Sequence, residues 1–365
     1  QTFRLARRFN HRQAIMELAT QLVLPCTDLD AALSFYTESL QFRLELIMPA
    51  DSPRFAVLTG YGIQLRLELV EQLQISSPAI RLRLWDKDTE NFKPLKAPDG
   101  VEIEWLVANA TTTIPESTQE FIISRAHTRD SWQAGRAGML YRDLIPDRLG
   151  GKYIASLIRI PIGGPVPDYV HYHQVGFQLI YCKAGWVKVI YEDQGPAFVM
   201  QAGDCVLQPP TIRHQVLESS DGLDVIEIGC PAEHETFRDH DLELPTPTID
   251  ATRLFGGQHF VRFIASTAPW IDAETYRYQD TGIKAATFNH ANVRVLNVEE
   301  GSTSIFDHQQ DFLFLFVLNG QLLLNSATLG ASLLVNGDSV CIPKNTQYTL
   351  TAKQTSTILE VSVTE

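Results

Sequence analysis

Gly163-Gly164-Pro165-Val166-Pro167-Asp168-Tyr169-Val170-His171-Tyr172-His173 opens the stretch from which the rest of this chain is read. His171 and His173 stand one residue apart on an extended run rich in Tyr and Val, and alternate side chains on a strand share a face. Two imidazoles on one strand face are the start of a metal site. Gln178 follows within Phe177-Gln178-Leu179-Ile180-Tyr181-Cys182, and the strand ends at Gly185. A second block, Gly203-Asp204-Cys205-Val206-Leu207-Gln208-Pro209-Pro210-Thr211-Ile212-Arg213-His214, reads as glycine turn, short apolar strand, proline corner and third histidine.

Those two blocks resemble the signature motifs of the cupin superfamily. His171, His173, Gln178 and Gly185 match the spacing of the first motif, and Gly203, Pro209 and His214 that of the second. Two departures stand out. Gln178 occupies the place where the family usually has Glu, and the leading glycine lies one residue further away than usual. The resemblance implies a divalent metal on His171, His173 and His214, with Gln178 as fourth ligand or orienting group.

The pattern repeats. Setting Gly185 on Gly320 aligns residues 171–184 with Phe306–Asn319 and, within one residue, Gly203 with Gly337, Pro209 with Pro343 and His214 with Tyr348. Two tandem barrels of the double-stranded β-helix (jelly-roll) type are therefore expected, over 111–240 and 241–365, joined near Leu244-Pro245-Thr246-Pro247. The halves differ at the chemistry: His308 answers His173, but His171 becomes Phe306, Gln178 becomes Leu313 and His214 becomes Tyr348. One histidine does not hold a metal, so the second barrel is expected to be metal-free.

Residues 1–110 form a separate unit. An apolar strand over Met16–Pro25 precedes Asp28, an N-cap for a helix whose Leu29, Ala32, Tyr36 and Leu40 fall on one stripe. Strand-like runs follow at 42–48, 54–59 and 62–70, then near 79–85 and 101–107. This order, with Asp28-Leu29-Asp30 and Phe35-Tyr36, resembles a module of the glyoxalase/bleomycin-resistance (vicinal oxygen chelate) fold. Gln21, Glu68 and Glu104 match ligand positions of that family, but the set is incomplete, which leaves a degenerate structural or dimerising domain. The fold class is thus mainly β, two barrels preceded by a small α+β domain.

Composition sets outer bounds. At 365 residues, 44% hydrophobic and 20% charged, the chain suits two or three domains. A net charge of −13 argues against nucleic acid or anionic membrane as partner, and the basic cluster Arg4, Arg7, Arg8 and Arg12 reads as a solvated arm. The longest apolar run, Phe312–Leu318, is strand-sized against the ~18 residues of a bilayer span. Five cysteines, at 26, 182, 205, 230 and 341, read as buried thiols of a reducing compartment, which implies a cytoplasmic protein.

For the first barrel, three neutral imidazoles and an amide in place of a carboxylate leave a bound ion with more of its charge. Iron(II) is placed first, with zinc, nickel, manganese or copper as alternatives. The resemblance implies a small oxygenated or acidic substrate. A non-haem iron dioxygenase-type reaction leads, with metal-dependent isomerase or lyase work, or a non-catalytic binding module, as alternatives. Arg159 is a candidate for a substrate carboxylate, and Tyr169 and Gln208 for the pocket lining. His234 and His240 read as members of a solvated loop, and Arg213 as pointing outward to an acid. A homodimer is expected.

Overall fold

The computed structural model describes residues 20–49, 53–73, 80–86, 93–107, 114–127, 132–135 and 138–364. Met16–Ala19, Ala79 and the four N-terminal arginines lie outside them. Two compact units divide at Thr111 and Thr112.

In the first unit a four-stranded sheet runs Gln21–Cys26, Ile63–Leu69, Phe55–Gly60, Arg43–Met48, with the first two parallel. The Asp28 carboxylate accepts the Ala31 amide at 2.9 Å and starts the helix Leu29–Ser34. Leu29, Ala32, Tyr36 and Leu40 are all buried, so the expected stripe is the face that meets the sheet. A second sheet of three strands, Arg81–Asp86, Glu102–Val107 and Leu95–Lys96, closes the same core through Leu82, Leu84 and Ile103. The candidate ligands do not gather. Gln21 lies opposite Gln64 and Glu68 opposite Pro25, four steps along one parallel pair and so roughly 13 Å apart. Glu68 is paired with Arg66 and Glu104 with Arg83.

The second unit is almost entirely β and consists of two lobes. In the first lobe a seven-stranded sheet carries Phe177–Ala184 between Cys205–Leu207 and Leu223–Cys230, with Ile154–Ile160 next in order. It faces a six-stranded sheet containing Trp186–Tyr191, His214–Ser219, His171–His173 and Thr236–Arg238. The second lobe is built on two long strands, Phe312–Ser326 and Thr346–Val363.

Strand alternation explains the apolar runs. Phe177, Leu179 and Tyr181 face a core shared with Phe312, Phe314 and Phe316 of the second lobe, where Tyr153 stacks on Phe312 at 4.1 Å. The intervening residues turn the other way, Cys182 into the interior of the first lobe and Leu313, Leu315 and Val317 into that of the second. Strands buried on both faces lose the polar alternation of a surface sheet.

Each lobe borrows a strand from outside its own stretch of sequence. Ile122–Ser124, from the start of the span expected for the first barrel, pairs with Ser339–Cys341 of the second. Val261–Phe263, beyond the expected joint, pairs with Cys205–Leu207 of the first. The joints share one geometry: Asp204 accepts the Ala265 amide at 2.9 Å, and Asp338 accepts the Ala126 amide at 2.8 Å. A boundary near residue 240 thus cuts through hydrogen-bonded sheet.

Candidate metal centre

Register brings the histidines together. His171 lies directly opposite His214 where their strands pair, and His173 lies opposite Thr236 on the other side. The ring centroids of His171 and His214 are 4.2 Å apart, and those of His173 lie 5.2 and 5.3 Å from them. One nitrogen from each ring falls within 4.8 Å of the others.

The far side of each ring is anchored. His171 Nδ1–H donates to the Tyr169 carbonyl at 2.7 Å, and His214 Nδ1–H to the Ile212 carbonyl at 3.1 Å. His173 Nδ1 is 2.8 Å from the Thr236 hydroxyl. A carbonyl only accepts, so the first two bonds set the tautomer and make Nε2 the ligating nitrogen. Asp168 adds a fully buried carboxylate 3.6 Å from His171 Nδ1, itself held by the Val216 amide at 2.9 Å.

The donor set fits a divalent ion. Two nitrogens sharing an ion at ~2.1 Å lie at most ~4.2 Å apart, so small ring rotations from the present spread close the set. The residues that would hold the metal are His171, His173 and His214.

Gln178 takes part differently. Its Oε1 accepts Gln208 Nε2 at 3.1 Å, and its Nε2 donates to Glu227 Oε1 at 2.6 Å. Gln208 in turn accepts the Tyr191 hydroxyl at 2.7 Å and lies 3.3 Å from His214 Nε2. A chain thus runs Tyr191, Gln208, Gln178, Glu227, its first three members almost fully buried and Glu227 partly so. Burial, and then the nearby Glu227 charge, push the Tyr191 phenol well above its ordinary range, so it stays a hydrogen-bond donor.

A cavity of about 350 Å³ opens against this chain. Its polar end is lined by His173, His214, Gln178, Gln208, Glu227 and His234, and its body by isoleucines and valines. Glu227 and His234 were not expected there. His234 comes from the polar segment after the last strand of the lobe, and its ring centroid sits 5.3 Å from that of His173. The strand Leu223–Cys230 carries two acids, and Glu227 shares the parity of Leu223 and Val225, which line the cavity, while Asp224 takes the other.

Two candidates fall away from the cavity. Arg159 has the opposite parity to Ile158 and Ile160, which line it; the guanidinium instead grips Asp224 at 2.6 and 2.8 Å. Tyr169 supplies its carbonyl to His171, while its ring lies under Arg238 at 4.8 Å. Arg213 points to Asp239 at 3.1 Å, and His240 is exposed. Cys182 is a core thiol, pushed up to about 12 by burial.

The second lobe fills the corresponding place. Phe306 lies opposite Tyr348, as His171 lies opposite His214, and the two rings stack at 5.1 Å. His308 is 2% exposed, with Nδ1 against Gln310 at 3.1 Å and no hydrogen-bond partner for Nε2 among the described residues. Burial lowers its pKa from the ordinary 6.5. The unfolded chain therefore binds this proton more readily, and the stability held above pH 6.5 is lost as pH falls. The urea midpoint is expected to drop less in His308→Leu than in the wild type between about pH 7 and about pH 5. Equal drops would remove His308 from the acid sensitivity.

No family model and no curated protein matches the chain. Solved structures do. A salicylate 1,2-dioxygenase from Pseudaminobacter salicylatoxidans superposes with TM-score 0.52 at 13% identity, covering 71% of this chain and 88% of that one. The oxalate decarboxylase of Lactobacillus farciminis, as its formate complex, gives TM-score 0.51 at 13% identity over 69% of this chain and 88% of that one. That of Bacillus subtilis gives 0.50 at 13% identity, over 71% and 79%. At such identity the likeness shows fold alone, and it supports the cupin fold expected from the two sequence blocks. Among the described residues no helix is long and apolar enough to cross a membrane.

Proposed function

We propose that the chain is a divalent-metal-dependent enzyme of two tandem cupin barrels, with its chemistry in the first and a glyoxalase-like module in front. The observation that carries this is the anchored triad: three imidazoles converge, each with Nδ1 hydrogen-bonded away from the centre. Histidines kept for packing alone have no reason to share that arrangement, and the second lobe packs the same place with Phe306 and Tyr348. The substrate is a small oxygenated or acidic molecule held in the adjoining cavity, and the reaction is of the iron dioxygenase type. Two structures of like fold bear the names salicylate dioxygenase and oxalate decarboxylase, which supports that substrate class.

A metal bound here supplies Lewis acidity and, as iron(II), a means of engaging oxygen. The protein does the rest. Tyr169, Ile212 and Thr236 fix the ring orientations, and Gln208 is held between Tyr191 and Gln178 beside His214. The apolar walls keep water from the substrate body. A non-catalytic binding module is the second reading, favoured by a second lobe that retains the fold around a stacked aromatic pair.

Metal content by mass spectrometry, on protein purified without a chelating column, tests the proposal. About one equivalent of a single metal is expected, iron for oxygen chemistry and zinc, nickel or manganese for isomerase or lyase work. A value near zero that added metals do not raise would sink the enzyme reading and leave the binding module.

A further inference from the structure

Glu227 is the one carboxylate lining the first-lobe cavity, and no lysine or arginine lines it among the described residues. Its counterpart in the second lobe shows what is unusual. Ile180 and Ser156 flank Glu227 on the two neighbouring strands, and Leu315 and Arg294 flank Glu360 in the same way. The repeat therefore places an inward glutamate in each lobe. In the second, Arg294 answers it with two hydrogen bonds to Oε1, at 2.8 and 2.6 Å. In the first, a serine stands where that arginine would be, and Glu227 is met by the neutral Gln178 amide at 2.6 Å.

The carboxylate absent from position 178 thus returns from the adjacent strand, facing the cavity rather than the histidine triad. We infer that the first-lobe cavity selects an uncharged ligand: an apolar body with a hydroxyl or N–H donor that Glu227 receives. Ile158, Ile160, Ile180, Val189, Leu223 and Val225 take the body. Without an ion on the triad, an anionic head in that space faces a like charge across a medium of low dielectric, where repulsion is strong; a bound divalent ion offsets that repulsion. Recognition then works by rejection of carboxylates as much as by attraction of hydroxyls. This rests on the first lobe being the ligand site, and it narrows what the cavity itself accepts, apart from any ion on the triad, from oxygenated or acidic to oxygenated and uncharged.

The probes are para-isopropylphenol and para-isopropylbenzoate, which share a body and differ in charge. Each is titrated calorimetrically into the chelator-treated full chain at neutral pH. In chelator-treated protein the phenol is expected to bind at least about tenfold more tightly, and Glu227→Gln to shrink that ratio about tenfold. Ser156→Arg, which installs the second lobe's answer, is expected to abolish phenol binding. Benzoate binding as tightly as the phenol in the wild type, a ratio unmoved by Glu227→Gln, or no binding of either at millimolar concentration overturns the inference. Should the variants not fold, the wild-type ratio decides alone. Phenol preference in a chain that takes up no metal defeats only the enzyme reading; metal uptake with benzoate preference defeats only this one.

Discussion

His214→Ala is expected to weaken metal binding about a hundredfold or more, leaving less than about a tenth of the wild-type metal after dialysis. The magnitude follows from the donor count: two imidazoles remain of three, and disturbing a ligand's outer partner alone already costs roughly 10–100-fold. Thr236→Val supplies that smaller case. It removes the hydroxyl that meets His173 Nδ1 and keeps the ligand, so its loss is expected to fall between wild type and His214→Ala. Tyr348→Phe, at the matching place in the second lobe, is expected to change metal content not at all. Mass spectrometry of the dialysed proteins, with circular dichroism to confirm folding, checks all three. Full metal in His214→Ala would place the ion elsewhere.

Several parts of this site were legible because they depend on local spacing alone. Alternation on a strand puts His171 and His173 on one side, and a proline corner after Leu207 returns the chain to His214. Likewise the apolar run from Phe312 has the length of a strand, and its burial on both faces emerges only in the fold. Other parts depend on register between distant strands, which no local pattern encodes. Glu227 meets Gln178 across 49 residues because their strands are neighbours, and the sequence alone says only that an acid interrupts an apolar run. Arg159 was misplaced for the same reason: which parity of its strand faces the cavity is decided by its pairing with Leu223–Cys230. The exchanged strand Ile122–Ser124 is three residues long, too short to show a period. His234 is brought in by a turn after Cys230, and a polar segment gives no sign of the direction it takes.

The repeat also predicts the largest stability effect. Arg294→Met is expected to destabilise the second unit by about 3–5 kcal/mol, because it leaves the Glu360 carboxylate buried without its partner. Glu360 has a side-chain exposure of 6% and Arg294 of 23%, so little water can take the arginine's place. The neighbouring glutamate holds the guanidinium in its charged form, raising its pKa despite burial. Removing both charges is a different matter. Arg294→Met with Glu360→Leu gives up the attraction together with the desolvation cost, and buried pairs replaced by well-packed apolar residues are often neutral. The double variant is therefore expected to regain most of the loss, within about 1 kcal/mol of the wild type, in denaturant unfolding. A single variant as stable as the wild type would mean that water takes the arginine's place beside Glu360. The same result would weaken the contrast with Glu227, since an inward carboxylate in this fold would then need no answering charge. A large loss restored by the double variant would instead give the contrast its weight: one lobe neutralises its inward glutamate for stability, and the other leaves it facing a ligand.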